Sequence, residues 1–115
     1  MWASREIHTW TKKLDLRVNQ MTVYAITYDL NRPGQNYQDL YDEIKGLGAY
    51  WWHYLDSMWL VSTNLSANQV SERIRKHCDT NDHFLVIRVV ANYQGWLPEE
   101  AWSWINRHVK ETSYA

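Results

Sequence analysis

The chain has 115 residues, a hydrophobic content of 45% and a formal net charge of −1, enough to bury one core without disulfides or metals. The near-zero charge excludes a broad basic face built to grip long nucleic acid, and no apolar run is long enough to cross a bilayer. A single cysteine, Cys78, excludes an internal disulfide and points to a reducing, cytoplasmic setting.

Residues 1–20 read as an N-terminal extension to a single domain over 21–115. They mix Arg5, Lys12, Lys13 and Arg17 with Ile7, Trp10 and Leu14 at helical spacing. The first strand is predicted over 22–29, rich in β-branched and aromatic side chains. Pro33-Gly34 punctuates a loop over 30–36. A helix follows from Asn36, its cap, to Leu47, with Tyr37, Leu40, Tyr41, Ile44 and Leu47 on one face and Gly46 and Gly48 ending it. Strands are predicted over 49–55 and 57–63, joined by a tight turn at Asp56-Ser57. Trp52 and Tyr54 share one face of the first, and Trp51, His53 and Leu55 the other. Ser66 caps a helix over 67–77 that turns Val70, Ile74 and His77 inward. The fourth strand is predicted over 84–90, and a last helix runs from Pro98 to Lys110 with Trp102, Ile105 and Val109 along its packed side and Trp96 and Trp104 exposed.

That order, βαββαβ then a helix, predicts an α+β, ferredoxin-like fold: two helices on one face of a four-stranded antiparallel sheet. The other face is a large apolar liability. Either the terminal helix or a second copy should cover it, so a homodimer or larger closed oligomer is expected. Eight Trp and eight Tyr against one Phe suit such an interface, a core, or base stacking.

Several runs carry a resemblance: Ile26-Thr27-Tyr28-Asp29-Leu30-Asn31, Pro33-Gly34-Gln35-Asn36-Tyr37, Trp51-Trp52-His53-Tyr54-Leu55, Trp59-Leu60-Val61 and Gly95-Trp96-Leu97-Pro98. Together they resemble small bacterial and phage proteins labelled the SinR family, over about residues 21–106. No helix-turn-helix motif like that of the sporulation regulator of the same name is visible. More distantly the chain is similar to the smaller core protein of CRISPR adaptation, a dimeric ferredoxin-fold family. That resemblance implies that Tyr28-Asp29 ends the first strand with a carboxylate able to hold a divalent metal near a dimer axis, and Ser57-Met58-Trp59 matches the opening of the family's third strand. The basic run that follows the Asp in that family is reduced here to Arg32 in the loop and Lys45 late in the helix.

The candidate site lies where the first strand runs out into its turn. A carboxylate ending a buried strand must be paired, hydrated or metal-bound, which singles out Asp29. Asn31, Arg32, Gly34, Asn36 and Tyr37 place a cation and several amides beside a helix start, a ready anion site. The bland reading is a solvated Arg in a loop that Asp29 caps. Trp52 and His53 belong to the densest aromatic run and suit either stacking on a base or packing at a dimer contact. Magnesium, which needs few protein carboxylates, is the metal Asp29 could take. These residues suit a non-enzymatic homo-oligomer that binds a small phosphate-bearing ligand, a nucleotide or cyclic nucleotide-like signal, with sequestration of a defence signal in phage–host conflict as one setting. No resident cofactor is called for, and no membrane or long nucleic-acid partner. The alternatives are a magnesium-dependent endonuclease on RNA or DNA and a purely structural partner protein.

Overall fold

Among the described residues of the computed structural model, seven elements follow one another: β1 (Thr22–Asp29), α1 (Gln38–Lys45), β2 (Tyr50–Trp52), β3 (Met58–Thr63), α2 (Ala67–Arg75), β4 (His83–Arg88) and α3 (Glu99–His108). The structure describes residues 21–31 and 36–109. The N-terminal extension over 1–20, together with Arg32 and Gly34, lies outside the described residues. The strands form one antiparallel sheet in the order β2-β3-β1-β4. The fold is therefore α+β with a four-stranded antiparallel sheet and, among the described residues, three helices.

Alternation along the strands divides the sheet into two faces. Tyr24 and Ile26 of β1 and Trp59 and Val61 of β3 join Leu40 and Ile44 of α1 and Val70 and Ile74 of α2 in the first core. Val23, Tyr50 and Leu60 point the other way and pack on Trp104, Ile105 and Val109 at the C-terminal helix. The second face is thus covered in part by the chain's own α3. The helix keeps Ile105 and Val109 of the predicted packed side and buries Trp104 in place of Trp102. Trp104 is 6% exposed, whereas Trp102 is only half-buried. Trp104 shares a helical stripe with Ala101 and Ile105 as readily as Trp102 shares one with Ile105 and Val109, and docking on Tyr50 and Leu60 is what buries Trp104. Trp96 is 98% exposed.

Local signals explain most boundaries. Ser66 accepts from Gln69 N (3.1 Å) while Gln69 Oε1 accepts from Ser66 N (2.8 Å), a complete capping box for α2. The N-cap of α1 is Tyr37, not Asn36. Asn36 Oδ1 instead accepts from Gln38 N (2.8 Å) one residue earlier, in an Asx turn. The predicted strand 49–55 ends at Trp52, because His53 lays its ring on Trp59 at 3.8 Å and residues 53–57 form the hairpin loop. Gly48 is required by close approach. A Cβ there would lie 2.1 Å from the Ser62 carbonyl oxygen and 2.7 Å from Thr63 Cβ, where β3 runs past the end of α1.

Candidate functional site

Asp29 is the last residue of β1 and its side chain is exposed. Its cross-strand partner is His83, the first residue of β4. Val89 N donates to Val23 O at 2.8 Å, so the odd positions of β1 form the hydrogen-bonded pairs with β4. Asp29 and His83 are then such a pair, with Cα atoms about 5.5 Å apart. Both project on the face that carries Val23 and Leu60. α3 packs over the opposite end of that face and leaves this end open, with Leu85 and Ile87 of β4 exposed beside the pair.

Asp82 anchors the loop that follows Asp29. This carboxylate is 8% exposed. Its Oδ1 accepts from Asn31 N (2.8 Å) and from the Tyr37 hydroxyl (2.9 Å), and its Oδ2 accepts from Asp79 N (3.1 Å). Asn31 Nδ2 donates to Asn81 O (3.0 Å) and to Asp29 O (3.3 Å). A buried charge is tolerated when it is this thoroughly hydrogen-bonded. Three segments distant in sequence are tied together: the end of β1, the start of α1 and the turn before β4.

Asp29, Asn31, Asn36 and Tyr37 therefore collect at one corner of the molecule. Trp52 and His53 do not join them. Trp52 packs against the second core and stacks on the exposed Tyr54 at 5.8 Å. His53 turns to the first face, where its Nε2 lies 3.3 Å from Asp56 O. Trp59 sits beneath an aromatic cluster there, with Trp51 at 5.4 Å and Tyr41 at 6.0 Å. Its indole Nε1 donates to the Tyr28 hydroxyl (3.0 Å), which donates to Asp56 O (3.2 Å). Burial pushes the Tyr28 phenol up despite the indole bond, so it remains protonated at neutral pH.

A cleft of about 420 Å³ opens on the other side of β4's first residues, lined in part by Ser71, Arg75, Cys78, Asp79, Asp82 and His83. His83 thus borders both the cleft and the Asp29 pair, and Arg75, Asp79 and Asp82 share its lining. Further along the helices, Glu43 lies 2.8 Å from Arg73 Nε and 3.1 Å from His77 Nε2. Burial alone would raise its carboxyl. The bonds from His77 and Arg73, with the charges of Arg73 and Lys76, outweigh that and hold it below the usual carboxylate range. This group ties α1 to α2 and is structural.

No protein-family model matches this chain, and no solved structure matches it. Among the described residues, no group of three or more His, Cys, Asp or Glu side chains is placed to hold a metal, and no helix is long and apolar enough to cross a membrane. Two residues of the corner escape a reading of the sequence, His83 and Asp82. Their only local signal is that they precede an apolar strand as Asp29 ends one, and the pairing of β1 with β4 is what brings the two strand ends together.

Proposed function

We propose that this chain is a non-enzymatic, homo-oligomeric binding protein for a small phosphate-bearing ligand, nucleotide-like in class, held at the corner of Asp29 and His83. The observation that carries this reading is the cross-strand pairing of those two exposed side chains at the uncovered end of the sheet. A carboxylate beside an imidazole offers an acceptor for a sugar hydroxyl or base N–H and a donor for a phosphate oxygen. Arg75, which lines the cleft that His83 borders, is a cation near this corner, and Arg32 follows Asn31 in the sequence. The strand order and the βαββαβ succession support a ferredoxin-like fold, and the lone thiol of Cys78 supports a cytoplasmic setting. Following the family resemblance, sequestering a signal in phage–host conflict is the setting in which such a protein would act.

Two measurements test it. Mass spectrometry of small molecules released by heating the purified protein should find a nucleotide-class ligand. Calorimetric titration with nucleoside phosphates should show binding that Arg32→Ala weakens roughly 10- to 100-fold, the loss of one charge-assisted hydrogen bond. A protein that releases no such ligand on heating and binds no nucleoside phosphate even at millimolar concentration would overturn the reading.

A magnesium-dependent endonuclease is the second reading, favoured by one observation: the sheet supplies Asp29 with an imidazole neighbour that can take a proton from water. Asp29 would hold the ion with water and phosphate oxygens completing its shell, and the ion would polarise the phosphodiester. Cleavage of RNA or DNA that is lost in Asp29→Asn would select it.

A further inference from the structure

β4 is an edge strand of the sheet. Since Val89 and the other odd positions bond inward to β1, the backbone N–H and C=O groups of Phe84, Val86 and Arg88 point outward. Among the described residues no strand lies beyond them. Such edges are ordinarily blunted by lysine, proline or a bulge, and His83–Arg88, sequence HFLVIR, contains no lysine or proline. Leu85 and Ile87 stand 55% and 48% exposed on one face of this strand.

We infer that two copies of this chain join edge to edge through β4, antiparallel about a two-fold axis at Val86, continuing the sheet from four strands to eight. This inference rests on the homo-oligomeric part of the function proposed above and names the contact. The axis position follows from geometry. In an antiparallel pair, residues directly opposite share a face, and only outward-pointing residues can bond each other. A centre at Val86 sets Val86 against its own copy and Phe84 against Arg88, so all three outward residues are paired and about six backbone hydrogen bonds form. The same register sets Leu85 of each copy against Ile87 of the other, which replaces two isolated exposed side chains by one four-residue apolar strip. It also lays Arg88 beside the Phe84 ring on the opposite face, a cation–π geometry. A C2 contact of this kind is self-complementary and closes at two. Asp29 and His83 remain at the open end of the face, so each dimer presents two sites on one continuous sheet.

The test combines sedimentation with site-directed cross-linking of the full chain. Wild-type protein should sediment as a dimer at micromolar concentration. Ile87→Lys, a change at an exposed side chain, should leave the far-ultraviolet circular dichroism unaltered and raise the dimer dissociation constant roughly 100-fold or more by placing a charge in the apolar strip of each half. In a Cys78→Ser background, Val86→Cys should oxidise with diamide to a disulfide-linked dimer, because residues paired on the axis lie within disulfide range. Leu85→Cys, off the axis, should cross-link far more slowly. A wild-type monomer would overturn both this contact and the homo-oligomeric reading. A wild-type dimer that survives Ile87→Lys, or that cross-links no faster through Val86→Cys than through Leu85→Cys, would overturn the β4 contact alone.

Discussion

Asp82→Asn is the sharpest perturbation of the corner, because one atom pair is changed while shape is kept. Asp82 Oδ1 accepts from Asn31 N and the Tyr37 hydroxyl, and Oδ2 from Asp79 N. The best orientation of an amide keeps its oxygen on the first two donors and turns its NH2 toward Asp79 N. One charge-assisted bond is then lost, leaving two donors facing each other, and two bonds drop from charged to neutral strength. With bonds to charged groups worth about 1.5–3 kcal/mol and neutral ones about 1 kcal/mol, one lost bond and two weakened ones sum to a loss of at least about 2.5 kcal/mol, or roughly 10 °C in Tm at about 4 °C per kcal/mol for a domain of this size. Tyr37→Phe removes a single donor to the same carboxylate and should cost about 1.5–3 kcal/mol. In the double variant the two losses should fall short of additivity by about 1 kcal/mol, since the residues share a bond. Urea denaturation followed by tryptophan fluorescence gives all four free energies. A loss under about 0.5 kcal/mol for Asp82→Asn, the size of an ordinary surface change, or strict additivity with Tyr37→Phe, would refute the claim that Asp82 ties the β1–α1 loop to β4. Ligand affinity should fall with stability in Asp82→Asn, because the loop that carries Asn31 and leads to Arg32 loses its anchor.

Two further expectations concern the frame that holds this corner. Gly48→Ala should destabilise by at least about 2 kcal/mol in the same assay, because its Cβ would meet the backbone of Ser62 and Thr63 at 2.1–2.8 Å and β3 cannot retreat without parting from β1; a neutral result would show that α1 and β3 do not approach as described. Glu43→Gln should flatten the acid limb of the stability curve. The Glu43 carboxyl is held below its ordinary value in the folded state, so its contribution is present above the unfolded value near pH 4.5 and is lost as pH falls through the folded one. Because Arg73 is 39% exposed, that contribution should stay under about 1 kcal/mol. Denaturation midpoints from pH 3 to pH 7 that run parallel in the two proteins would contradict it.

Local chemistry was enough to write most of the elements. β1 is legible because Val23, Tyr24, Ile26 and Tyr28 combine high strand propensity with two-residue alternation, and α2 because Ser66 and Gln69 close a capping box that needs no distant partner. Both depend on neighbours within four residues, which a sequence displays directly. The candidate carboxylate Asp29 was legible for the same reason, as the charged end of an apolar strand. What tertiary structure alone decided involves choices that local periodicity leaves equal. Trp102 and Trp104 each sit on a valid helical stripe, and only the docking of α3 on Tyr50 and Leu60 buries one rather than the other. Asn36 and Tyr37 are adjacent, and the bond from the Tyr37 hydroxyl to Asp82 lies at the start of α1. The pairing of Asp29 with His83 depends on register between strands more than fifty residues apart, and a shift of one residue would have turned His83 to the other face. Register is set by the sum of contacts along the whole of β1 and β4, a cooperative quantity that no short stretch of the chain contains.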